Sequence, residues 1–119
     1  EIIKKGYSVV NCTASGINEA MFKVINERDN SLIRIFKTCD LLIIDDLGVE
    51  SMIKNVTIET LYDVIEYRLA NNGHTIFCTN LSAPAIEKKY GYRLSSRITS
   101  ARNTSLMQIL GEDLRRART

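Results

Sequence analysis

What this sequence lacks narrows it first. In 119 residues there is no long apolar run, so nothing approaches the ~20 residues that a membrane-spanning helix needs. The opening residues EIIKKGYS carry no apolar stretch and no small-residue cleavage site, so they do not read as a signal peptide. Cysteine is scarce: Cys12, Cys39 and Cys78 are odd in number, widely spaced and form no CxxC pair. That pattern argues against a disulfide framework or a zinc site and for a reducing, cytoplasmic location, with the thiols as small apolar fillers in or beside strands. The single histidine, His74, has no partner near it in sequence and reads as structural. Internal repeats and low-complexity segments are absent too. The net charge of +2 points by itself to no class of partner.

What is present is ordinary globular composition, 45% hydrophobic and 25% charged, of a length that suits one domain. Gly6 stands where a helix would end, and Tyr7 to Thr13 then read as a strand. Ile17 to Glu27 place Ile17, Ala20, Met21, Val24 and Ile25 at helical spacing. Asp29-Asn30-Ser31 break that helix, with Ser31 as N-cap of a short one over Leu32 to Lys37. Leu41 to Asp45 form a continuous apolar strand of the kind buried on both faces of a parallel sheet. Thr57 to Asn71 place Ile58, Leu61, Tyr62, Ile65 and Leu69 on one helix face, ended by Asn72-Gly73. Thr75 to Thr79 are a further strand, and Pro84 suits the first turn of the helix APAIEKKY. A short helix over Leu94 to Thr99, a strand over Ser105 to Leu110 and a basic tail complete the chain. Alternating strands and helices predict a three-layer α/β sandwich with a mostly parallel sheet.

The stretch LLIIDDLG, Leu41 to Gly48, raises the functional question, because a buried strand emerges there into two adjacent carboxylates. They either face water at a strand end or hold a metal where α/β proteins place their chemistry. The strand 75–79 delivers Thr79 and Asn80 to the same kind of position. From Lys88 to Arg102, KKYGYRLSSRITSAR carries Lys88, Lys89, Arg93, Arg97 and Arg102 with no acid. Arg93 and Arg97, four apart, share a helix face. Two acids, an amide and arginines suit nucleoside triphosphate hydrolysis: a carboxylate for magnesium, an acid to polarise water, an amide to orient it, an arginine for transition-state charge.

LLIIDDLG, CTNLS and YGYRLSSRI, in that order, resemble the Walker B, sensor 1 and arginine-finger motifs of DnaC/DnaI-type helicase loaders and the related IstB-like transposition ATPases, both AAA+ families. IIKKGYSVVNCTASG resembles the segment that follows the Walker A helix, so the resemblance runs over residues 1–119 as a partial AAA+ domain. It implies Asp45 as the Mg²⁺ ligand, Asp46 in the position of the catalytic acid, Asn80 as sensor 1 and Arg97 as the finger reaching a neighbouring subunit's ATP, with Arg93 in support. It also implies ATP and Mg²⁺ as cofactors, with a replicative DNA helicase, single-stranded DNA and further copies of the chain as partners. One element departs. None of the glycines at 6, 16, 48, 73, 91 and 111 is followed by Lys and Ser/Thr, so no P-loop GxxxxGK[ST] is present. The expectation is therefore a fragment that lacks Walker A and binds ATP poorly, its P-loop strand missing from between strands 75–79 and 105–110.

Other assignments stay open. Lys23, Arg34 and Lys37 are either a DNA-contacting surface, as in initiator-like relatives, or solvated helix charges. Tyr90 and Tyr92 either stack on bases or pack against the preceding helix. Arg115, Arg116 and Arg118 are phosphate ligands or a frayed basic terminus. A loader, a transposition helper and a non-catalytic interaction module with the same fold remain as functions. A two-component receiver domain fits badly, because its acidic pair should sit early in the chain and be followed by a phosphoacceptor Asp and a strand-end Lys.

Overall fold

The computed structural model describes residues 6–99 and 104–108. Its elements are β1 (Val9–Thr13), α1 (Ala14–Glu27), α2 (Ser31–Thr38), β2 (Leu41–Leu47), α3 (Thr57–Ala70), β3 (His74–Thr79), α4 (Ala83–Tyr90), α5 (Tyr92–Ile98) and β4 (Thr104–Gln108). The strands form one parallel sheet in the order β1-β2-β3-β4. The expected α/β class and parallel sheet are both present.

Local chemistry sets the boundaries. α1 starts three residues before Ile17 because Thr13, extended at φ −94°, ψ 160°, accepts the Gly16 N–H on Oγ1 at 3.0 Å. α1 ends where Arg28 turns left-handed at φ 54°. The N-cap of α2 is Asn30, not Ser31, and its side chain makes no capping bond; Asp29 Oδ1, one residue earlier, accepts both the backbone N–H and the hydroxyl of Ser31, at 3.0 and 2.7 Å. After α3 it is Asn72 that takes the positive φ, 59°, rather than Gly73. Gly73 is needed for space, since a Cβ there would lie 3.0 Å from the Arg68 guanidinium carbon.

All five helices contribute to one core. Ile17, Phe36, Leu61, Ile65, Ile86, Leu94 and Ile98 pack around Leu42, Ile44 and Phe77 on one face of the sheet. On the other face Leu41, Ile43, Ile76 and Cys78 are only half-buried among the described residues. Of the three layers expected, those residues thus supply the sheet and one helical layer, and the continuous run of β2 is apolar on both faces but fully covered on one. Two stripe residues also face outward: Ile25 is 54% exposed and Ile58 38%, while Arg68, at 1%, is inside.

β3 pairs directly with β4, Thr75 opposite Thr104 through Thr79 opposite Gln108. This differs from the resemblance, which puts a P-loop strand between them. An open strand edge offers unpaired N–H and C=O groups that take up an available strand, and β4 is the partner found here. The expected strand residues 109–110, together with Arg102, Arg115, Arg116 and Arg118, lie outside the described residues.

Candidate functional site

The site that the sequence points to lies along the carboxyl edge of the sheet. Strand pairing sets Asp45 beside Thr13 of β1 and Leu47 beside Thr79 of β3. Between Ile44 and Leu47 the register slips, so that β2 has one residue more than β3 over the same span. This bulge falls on the acidic pair, and Asp46 absorbs it with a left-handed φ of 57°. Without it the two carboxylates would simply alternate between the faces of the sheet. With it, Asp45 stays half-buried and in register, Asp46 is exposed, and Leu47 returns to the core.

The neighbours of Asp45 are polar or soft. The Cys78 thiol faces its carboxylate, and burial together with that hydrogen bond raises the thiol's pKa. Cys12 is pushed up to about 12, mainly by burial, with Cys39 and Asp45 adding to the effect. Burial raises Cys39 too, against the opposing pull of Arg68. All three are free thiols held protonated, which agrees with their reading as fillers.

Beside the acids, the Thr79 hydroxyl donates to Leu47 O at 2.5 Å and accepts from Leu81 N at 3.0 Å. It ties the end of β3 to the end of β2, with Asn80 exposed between Thr79 and α4. Ser82 caps α4 by accepting the Ala85 N–H at 3.3 Å, with Pro84 in the first turn. Gly48 has φ +104°, and a Cβ there would meet Leu81 Cδ1 at 2.5 Å. Gly48→Ala is therefore expected to cost about 1–3 kcal/mol from backbone strain, with the overlap adding to it. A drop in the denaturation midpoint larger than that of a Gly16→Ala control would show it.

The arginines are not with the acids. Arg97 donates from Nε to Glu66 Oε1 at 2.7 Å, which raises its pKa. The guanidinium carbons of Arg93 and Arg97 lie 4.3 and 5.4 Å from the Tyr62 ring centre. Their expected common face is present, directed at α3. Among the described residues, no ion pair links either of them to Asp45 or Asp46.

Arg34 and Lys37 come together in a groove of about 540 Å³ between α1, α2 and α3, floored by Met21, Val24 and Ile33. Lys37 is bonded there to Asp63 at 2.7 Å, with its Nζ 5.7 Å from the Tyr67 ring centre. Lys23 does not line the groove; it lies exposed on α1 near Asp29. Tyr90 cannot stack on a base, because it is 2% exposed and its hydroxyl donates to Glu50 Oε2 at 2.5 Å. Packing removes that candidate, whereas Tyr92 is 75% exposed. His74 lies at the start of β3, its backbone N–H donating to Asp40 O at 3.2 Å and its carbonyl accepting from Arg68 at 2.7 Å.

Two carboxylates and an amide at one strand edge are hard oxygen donors, and that donor set fits magnesium, which binds through one or two carboxylates with water or phosphate completing its shell. No group of three or more His, Cys, Asp or Glu able to hold a metal by itself occurs among the described residues.

Among solved structures the chain is similar to the crystal structure of the DnaC helicase loader, with a TM-score of 0.73 over 91% of this chain at 22% identity. The fold is DnaC-like. The chain spans 64% of the length of that loader chain. The α/β fold implied by LLIIDDLG, CTNLS and YGYRLSSRI is thereby observed. No protein-family model and no curated protein sequence matches the chain. Among the described residues no helix is long and apolar enough to cross a membrane.

Proposed function

We propose that this chain is the AAA+ core portion of a replicative helicase loader, carrying half of a magnesium-ATP site. The observation that carries this reading is the bulge at Asp45-Asp46 beside the Thr79-Asn80 turn, within a DnaC-like fold. In this reading Asp45 would hold magnesium, and the chemistry the ion would supply there is neutralisation of charge on a phosphoryl group. Asp46, exposed on its left-handed turn, takes the proton of the attacking water, and Asn80 orients that water. Arg97, with Arg93 beside it, serves a neighbouring copy's nucleotide. Lys23, Arg34 and Lys37 contribute to single-stranded DNA binding, and a replicative helicase is the macromolecular partner. An IstB-like transposition helper would use the same residues for the same chemistry.

A second reading has an observation of its own. The direct pairing of β3 with β4 leaves no gap for a P-loop strand, as in an interaction module that has given up nucleotide. Calorimetry with Mg-ATP separates the two, on this chain and on one extended upstream by roughly 60 residues, about the span of a βαβ unit with its P-loop. The extended chain is expected to bind, and Asp45→Asn to abolish its magnesium-dependent hydrolysis while the short chain stays silent. Failure of the extended chain to bind, or the lack of any GK[ST] upstream, leaves the interaction module. Co-purification with a replicative helicase, absent with a transposase, favours the loader over the transposition helper.

A further inference from the structure

The loop after the acidic pair contains a carboxylate that the chemistry above does not use. Glu50 is 3% exposed, and its side chain is fully buried. A carboxylate taken out of water is retained only where hydrogen bonds and opposite charge compensate it. Here Oε1 accepts the Gly48 N–H at 2.8 Å, and Oε2 accepts the Tyr90 hydroxyl at 2.5 Å. Lys89 Nζ approaches Oε1 at 3.9 Å and donates to two backbone carbonyls, those of Gly48 and Glu50. Two neighbouring residues of α4 thus grip a loop some forty positions earlier in the chain.

The gripped segment is the one that shapes the acidic pair. Asp46 at φ 57° and Gly48 at φ +104° are both left-handed, and Val49 N–H closes the turn onto Asp46 O at 3.1 Å. Aspartate enters the left-handed region more readily than most side chains but still at some cost, which hydrogen bonds to the adjoining backbone offset. Gly48 N–H and Gly48 O, two backbone groups within the turn, are both taken by this cluster. Leu81 closes over Gly48, and Thr79 ties Leu47. The loop after Asp46 is therefore held from one side by Lys89 and Tyr90 of α4 and from the other by Thr79 and Leu81, which flank Asn80.

We propose that Glu50, clamped by Tyr90 and Lys89, is a positioning residue for the acidic site, fixing the left-handed Asp46 turn and with it the ability of Asp45 and Asp46 to hold a divalent cation. The proposal rests on the magnesium reading above and assigns Glu50 no contact with the ion.

Two measurements on the full chain test it, in Glu50→Gln and in the milder Tyr90→Phe, which keeps the ring in the core. Hydrogen exchange at the Gly48 and Val49 amides reads the turn, and is expected to speed up at least tenfold while β1 keeps its protection. Manganese titration, followed by water-proton relaxation, reads the site. Its affinity is expected to fall about 10- to 100-fold, as when the group orienting a metal ligand is lost. Unchanged exchange overturns the proposal, whatever manganese does. Faster exchange with unchanged manganese affinity also overturns it, leaving the clamp as packing alone. Asp45→Asn is the separate control: a wild-type chain with no manganese binding that this variant removes brings down the magnesium reading itself, and the positioning role with it.

Discussion

Arg68→Met is expected to destabilise the chain by on the order of 3–5 kcal/mol, a fifth or more of the roughly 5–15 kcal/mol that holds a domain folded. Arg68 is 1% exposed, yet among the described residues no carboxylate forms an ion pair with it. Its Nε donates to Thr75 Oγ1 at 2.9 Å. Nη1 reaches the carbonyls of Phe36, Lys37 and Cys39, and Nη2 those of Asp40 and His74. The guanidinium thus satisfies the carbonyl end of α2, where the helix dipole favours a cation, and gathers the entries of β2 and β3. Burial lowers its pKa, but arginine starts far enough above neutrality to stay charged. Methionine fills the same volume and leaves those buried oxygens without donors. Lysine is expected to rescue little, since a three-donor ammonium cannot replace a planar five-donor fork. Urea denaturation of both variants is the check, and a loss under about 1 kcal/mol in Arg68→Met would mean that water reaches these carbonyls.

Arg68 also shows how far the sequence could be read. It follows Leu61 and Ile65 by seven and three positions, so it lies on the same helix stripe, and that signal was available. An arginine on an apolar stripe invites dismissal as a surface residue, because its acceptors come from three other segments that no periodicity links to it. The same stripe misled in the other direction at Ile58, which lies on the outer side of α3's first turn while Thr57 and Thr60 face inward. β2, β3 and α3 were legible because their apolar runs are long and their breakers, Asn72-Gly73 and the glycine after the acids, are strong. The start of α1 was not, since Ala14-Ser15-Gly16 carries no hydrophobic pattern and the cap is a single threonine hydroxyl.

For the candidate site the division is similar. Asp45, Asp46 and Asn80 could be found because each ends an apolar strand, and the arginine pair because four residues separate its members. The bulge could not be found, since it follows from pairing with β3. Nor could Glu50, whose one signal is its place two residues after Gly48 and whose partners come from α4. The partners of the basic residues were not legible either, because charge in sequence does not say what neutralises it: Lys37 meets Asp63, Lys89 meets Glu50 and Arg97 meets Glu66.

That last pairing frames the second large effect. On the loader reading, Arg97→Ala is expected to leave the chain folded and to lower hydrolysis by the assembled, upstream-extended protein about 10³- to 10⁵-fold in kcat, the range for an arginine supplied across an interface. The ion pair with Glu66 is not what demands an arginine, because both side chains are more than a third exposed, at 36% and 40%, and such pairs contribute little to stability. Stacking on Tyr62 is shared with the nearer Arg93, so the ring stays covered when Arg97 is truncated. Arg97 is therefore held where it can be released at small cost, as a residue that serves a neighbour must be. Arg97→Ala and Asp45→Asn subunits, each inactive alone, are expected to regain turnover when mixed, since an interface between them can combine the intact acid of one with the intact arginine of the other. Arg93→Ala should weaken turnover less, and Arg97→Lys should not restore it. Mixing that restores nothing, or an Arg97→Ala chain that loses stability while keeping turnover, would make Arg97 a partner of Glu66 and nothing more.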